Sequence, residues 1–185
     1  MTIQQALPER TTPLLLVPVL VGWAIAVVLA VYGGLHTPTG VAVNLAGFSG
    51  PLEAKVWVAS TALLFGLIQV GSALLMYGKV PRVAPPAWIA ALHRWSGRAA
   101  FLLAVPVAVH CLYAVGFQTF STRVLVHSLL GCAFFGAFTV KMLGLRRDGV
   151  PGWALPVLGG TVFALLVGLW WTSSLWFFTT IGVQF

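Results

Sequence analysis

Runs of apolar residues about 20 long recur along this 185-residue chain, and each is long enough to cross the hydrocarbon core of a bilayer as a helix. We read five such spans: Pro13 to Leu35, Ala54 to Gly78, Trp88 to Gly116, Thr122 to Leu145 and Trp153 to Thr180. Almost nothing is left outside them. The expectation is an all-α membrane protein, one five-helix transmembrane bundle spanning residues 1–185. With 59% hydrophobic and 7% charged residues and a mean hydropathy of +0.99, no stretch has the composition of a soluble domain.

The net charge of +7 sits in short clusters between the spans, as expected for topology rather than for a nucleic-acid surface. With alternating spans, Arg10, Lys79, Arg82, Arg94, Arg98, Lys141, Arg146 and Arg147 fall near one face. Only Lys55 and Arg123 fall near the other. Positive charge stays inside, so the expected amino terminus is cytoplasmic and the carboxyl terminus extracytoplasmic, in the inner (plasma) membrane. The first span is too long for the apolar part of a signal peptide and lacks a convincing cleavage site, so it is read as a helix.

The loop His36 to Glu53 holds Pro38, Gly40, Gly47, Gly50 and Pro51, and is expected to be irregular and exposed on the outer side. Inner turns are expected at Lys79 to Pro86 and Arg146 to Gly152. The chain has no internal repeat, phosphate-cradling glycine loop or carboxylate pair, which removes nucleotide and hydrolytic chemistry. The acids Glu9, Glu53 and Asp148 lie at span edges, so a proton pump lacks its relay. A permease lacks a polar pathway beyond Gln69, Ser72 and the histidines. Cys111 and Cys132 belong to no metal or redox spacing and are read as small core residues.

Three of the four histidines lie within the spans, His93, His110 and His127, each seventeen residues from the next. Ionisable groups at membrane depth are costly unless paired or ligated. At ~1.5 Å per residue, His93 and His110 lie about 25 Å apart on one helix and cannot share an ion. His110 sits about five residues before the outer end of the third span, and His127 about five after the outer start of the fourth, so their depths match. Two neutral imidazoles at one depth on neighbouring helices form the usual axial pair of a b-type haem. Gly131 and Ala114 would leave room for the ring, with Phe117, Phe134 and Phe135 packed on it. Arg123, one turn before His127, would meet a propionate or act as an interfacial anchor.

Pro106, one turn before His110, is expected to bend the third helix. His36 is either a substitute ligand or a solvated loop residue. His93, with Arg94, Arg98, Met76 and Met142, marks the inner boundary; a His–Met pair there would hold a second haem, and an interfacial histidine beside snorkelling arginines is the plainer reading. Trp170, Trp171 and Trp176 read as an aromatic belt at the outer leaflet.

The segment Leu92-His93-Arg94-Trp95-Ser96-Gly97-Arg98-Ala99-Ala100-Phe101, followed by Pro106, His110 and Tyr113, resembles the H-R-x-x-G…A-F…H-x-x-Y helix of the cytochrome b561 and ferric-reductase-like transmembrane haem proteins. His127 to Gly131 is similar to the H-x-x-x-G helix of the same group. The likeness covers Leu64 to Leu145. It implies a helical bundle that holds b haems through histidine pairs, with His93, His110 and His127 as ligands, and passes electrons between partners on its two faces. Those families commonly supply four histidines within the core, whereas here the fourth, His36, lies outside it. No flavin or nicotinamide module follows the bundle.

The expected protein is thus a membrane-bound b-type cytochrome carrying out one-electron transfer, with one haem b and a second in question. A quinol near Arg94 and Arg98 and a soluble redox protein on the outer face are the expected partners, with membrane lipid around it and a homo- or hetero-oligomer as its setting. Ligand candidates are His110, His127, His93 and His36; Arg123, Gly131, Phe134 and Arg98 are candidate cofactor contacts. The rival is a haem-free membrane anchor or assembly subunit, packed on a partner through small residues such as Gly66 and Gly71.

Overall fold

The computed structural model describes residues 12–185, with side chains from Leu15 onward; Glu9 and Arg10 of the topology argument lie outside the described residues. Helix α1 covers Thr12–Leu35, α2 Pro51–Met76, α3 Ile89–Val109, α4 Thr122–Gly144, α5 Ala154–Trp170 and the short α6 Trp176–Thr180. Two π-helical turns, His110–Val115 and Trp171–Leu175, continue α3 and join α5 to α6. The result is five helices long and apolar enough to cross a membrane, with mean hydropathy 1.6 to 2.6 over their most apolar windows, and no strand among the described residues. Each span was expected within three residues of where it lies.

The boundaries have local causes. Pro51 opens α2 where its missing N–H would have had no intrahelical partner. The Ser121 hydroxyl accepts the Val124 amide (3.3 Å) and caps α4, which sets His127 a turn and a half into that helix. The π turn after α3 ends at Gly116, whose φ of +77° suits glycine and whose N–H reaches back to the Cys111 carbonyl (2.9 Å).

Packing runs α1 on α4, α4 on α5, α5 on α2 and α2 on α3. The stack of Phe101 in α3 on Phe138 in α4, with ring centroids 3.8 Å apart, closes the circuit. Phe134, Val162 and Leu166 form the buried centre, bordered by Leu63, Phe101, Phe135 and Leu169. Outward-facing residues are large and apolar, Trp23 and Leu102 among them, as lipid contact requires. Gly22 and Gly136 bring α1 and α4 together with no side chain between their backbones.

The loop from His36 to Gly50 is irregular, as expected, but it is tied down across one end of the bundle. Thr39 and Gly40 donate to the Tyr113 and Ala114 carbonyls, and Ser49 donates to the Phe185 carbonyl. Phe117 in turn donates to the Gly33 carbonyl at the end of α1. Carbonyls near the end of the π turn are thus satisfied by a neighbouring loop instead of a helical ladder.

Candidate functional site

Two adjoining cavities open at the end of the bundle that carries the π turns. The first, about 220 Å³, lies between α2, the α3 π turn, α4 and the α5 π turn, and the second, about 80 Å³, continues it toward Phe134 and Leu166. They share Ala108, Cys111, His127, Gly131, Phe135 and Ser173 along their walls. Phe117, Phe120, Phe135, Trp176 and Phe177 give the first an aromatic lining, and Lys55 and Arg123 are its cations.

His127 is the histidine in this space, and its protonation follows from its neighbours. The Thr172 hydroxyl donates its single proton to the Gly168 carbonyl (2.8 Å), and can then only accept from His127 Nδ1 (2.9 Å). With the Thr172 proton on the Gly168 carbonyl, the imidazole carries its own proton on Nδ1 and Nε2 is left as the acceptor. The Thr172 carbonyl accepts from the Arg123 guanidinium (Nη1–O 2.6 Å), whose Cζ also lies 3.8 Å from the Trp176 ring centroid. One residue of the α5 π turn thus positions both the imidazole and the guanidinium, the arrangement by which second-shell groups orient metal-binding histidines.

Thr172 escaped the sequence reading, although the polar run Thr172-Ser173-Ser174 breaks an apolar span at His127's depth. Thr172→Val keeps the shape and removes the acceptor. Whatever His127 binds should be held about 10- to 100-fold more weakly in that variant, the range typical of lost second-shell bonds, and Thr172→Ser should restore most of it. Titration of the purified variants with hemin or imidazole-binding metal ions would read this directly.

The other expected residues are distributed as follows. His110 is half-buried but lines a third cavity, on the far side of α3, and shares no cavity with His127. The matched depth that suggested pairing says nothing of azimuth. The inward stripe of α3 is Ala104, Ala108 and Cys111, and His110 stands one residue, about 100°, off it. His93 donates through Nδ1 to the Gln69 carbonyl (3.0 Å) beside Ser72 at the opposite end, and lines none of these cavities. Met76 and Met142, its suggested companions, are exposed.

His36 donates through Nε2 to the Tyr113 carbonyl (3.1 Å) and stacks between Tyr32 and Tyr113, so it fastens the loop to α3 and is not simply solvated. Arg98 is exposed and lies over Trp95. Gly131 does leave space, since a Cβ there would touch only Leu169 at 3.9 Å. Phe134 is buried and lines the second cavity. Of Trp170, Trp171 and Trp176, Trp171 is the most exposed, and Trp170 donates to Ser60 Oγ (2.9 Å). Cys111 and Cys132 are free thiols, and Cys111 lines both joined cavities. Among the described residues no three His, Cys, Asp or Glu side chains converge.

A bundle of five helices long and apolar enough to cross a membrane, with an aromatic, cation-edged cavity at one end and His127 in its wall, is the class of protein this chain defines. It belongs to a family of unknown function, DUF6529, whose model matches residues 15–185. No curated protein and no solved structure matches the chain.

The donor set can be compared with a haem. A flat macrocycle with two carboxylates needs aromatic walls, a basic rim and one or two axial donors. The first cavity supplies the walls, Arg123 and Lys55 supply the rim, and His127 supplies one donor. The lining matches a haem in the kind of residue, with His127 as one donor and His110 outside it. Cavities of about 220 and 80 Å³ are smaller than a porphyrin, so the helices around them would have to part to admit one.

Proposed function

We propose that the chain is a membrane-bound b-type cytochrome that holds one haem in the cavity beside His127. The reading is carried by one observation: His127, its Nδ1 2.9 Å from the Thr172 hydroxyl, lines an aromatic cavity that also holds two cations, and Nδ1–H donation to Thr172 would leave Nε2 as a ligand. His127 would ligate the iron, Arg123 would hold a propionate, Gly131 would leave room for the ring, and Phe134 would close the deep end. When bound, the haem supplies a one-electron couple, so the chain would act in electron transfer as a subunit or partner of a larger redox system.

The resemblance to the cytochrome b561 and ferric-reductase-like proteins points to a b haem but implies histidine pairs, and His127 stands in this cavity without His110. Basic residues gather at the opposite end, in Lys79, Arg82, Arg94, Arg146 and Arg147, which supports an outward-facing cavity, a cytoplasmic amino terminus and residence in the plasma membrane. Its partners would then be a quinol from the bilayer and a soluble redox protein at the outer face.

The test is spectroscopic. Protein purified from a haem-replete membrane should show b-type bands on reduction and pyridine haemochrome in stoichiometric amount. With His127 as the one histidine of the cavity, carbon monoxide should shift the reduced spectrum. A colourless preparation that takes up no hemin would overturn the proposal and favour the membrane-anchor reading.

A further inference from the structure

A third cavity, about 660 Å³, lies between α2, α3 and the loop over them, and Lys55 stands in the wall between it and the aromatic one. We propose that it is a binding site for an anionic phospholipid, with the phosphate on Lys55 and His110 and an acyl chain along α3. Lys55 borders both cavities and is assigned here to the phosphate, with Arg123 left as the cation of the aromatic cavity, so the two readings stand or fall separately.

Three features point to that occupant. The first is the character of the walls: Val41, Val43, Val58, Leu103 and Val107 are aliphatic, and the aromatic ring in the lining, Tyr113, stands near the His110 end. Such walls suit a flexible hydrocarbon chain, where the aromatic cavity suits a flat ring.

The second is polarity confined to one end. Lys55 lies four residues from the start of α2, about 6 Å along its axis, at the depth of a lipid headgroup. From there the lining runs inward to Val58 on α2 and, on antiparallel α3, from His110 to Leu103, about 10 Å deeper. A polar mouth leading into an apolar trough is the shape of an amphiphile.

The third is charge. No aspartate or glutamate lines the cavity, and Lys55 brings a cation into it. Glu53, the nearest acid in sequence, is turned back to the helix start, where its Oε2 would lie 2.6 Å from a Cβ on Gly50. A half-buried ammonium among apolar side chains at membrane depth calls for an anion. His110 offers a second polar contact, since its ring makes no hydrogen bond to the described residues, and a phosphate diester has oxygens for both groups.

The experiment uses the full chain in nanodiscs and in mild detergent. Native mass spectrometry after delipidation and exposure to mixed vesicles should show retention of phosphatidylglycerol at least tenfold over phosphatidylcholine. Lys55→Gln should abolish that preference, and Lys79→Gln, at the opposite end, should keep it. Leu103→Trp fills the trough without touching the charge, and should eject the lipid while helix content by circular dichroism is unchanged. Equal retention by wild type and Lys55→Gln would overturn the proposal. So would preferential retention of oleate or a quinone, or stabilisation by inorganic phosphate equal to that by the phospholipid.

Discussion

His127→Ala is expected to yield a folded protein without haem, whereas His110→Ala is expected to keep its full haem complement. The asymmetry is the point, because matched depth alone treats the two residues alike. Truncating His127 leaves Thr172 Oγ1 with an idle lone pair, but its proton still reaches the Gly168 carbonyl, so no buried donor is orphaned. The local structure should therefore persist, and the loss should fall on the ligand. His110 lines the aliphatic cavity, and its truncation removes nothing from the walls around His127. Haemochrome content per chain, read beside circular dichroism of each variant, checks both halves. Retention of haem by His127→Ala with loss in His110→Ala would reverse the assignment.

Hydropathy and punctuation suffice to place the spans, because a segment that enters a bilayer must be apolar for its full length and must end at Pro, Gly or charge. Depth along a helix is equally accessible, which is why Arg123 and Gly131 stand beside the cavity where the sequence puts them relative to His127. Azimuth is not. In an apolar span every face looks alike, and whether His110 or Cys111 turns inward is decided by which neighbour α3 packs against. The π turns are a second hidden element. They widen the helix at His110–Val115 and Trp171–Leu175, and no residue pattern announces them, although Pro106 lies one turn before the first. The role of Thr172 depends on the second of these turns, and the tethering of His36 on the first. A loop rich in Gly and Pro reads as exposed; that it roofs a cavity depends on carbonyls left near the end of the α3 turn.

Gly136→Leu is expected to be the most destabilising single change in the membrane-embedded packing. At this crossing the backbones of α1 and α4 touch. A Cβ on Gly136 would lie 2.6 Å from the Gly22 carbonyl oxygen and 3.1 Å from Ala26 Cβ. The converse holds too, since a Cβ on Gly22 would lie 2.6 Å from the Gly136 oxygen and collide with Val140 Cγ2. Each carbonyl faces the other glycine's Cα, a geometry in which weak Cα–H···O contacts and dense packing replace the hydrophobic effect that lipid does not provide. No rotamer relieves a clash with backbone, so the helices must separate, and α1 has few other supports: it meets α4 and the α3 π turn. Overpacking of this kind costs about 1–3 kcal/mol for a methylene or two, and a leucine exceeds that range because the whole α1–α4 seam opens. Gly160→Leu is the matched control, since a Cβ there meets nothing within 4 Å. The thermal midpoint of detergent-solubilised Gly136→Leu should fall well below that of Gly160→Leu, and Gly136→Ala should lie between them. Equal midpoints for the two leucine variants would mean that α1 does not rest on α4 through these glycines.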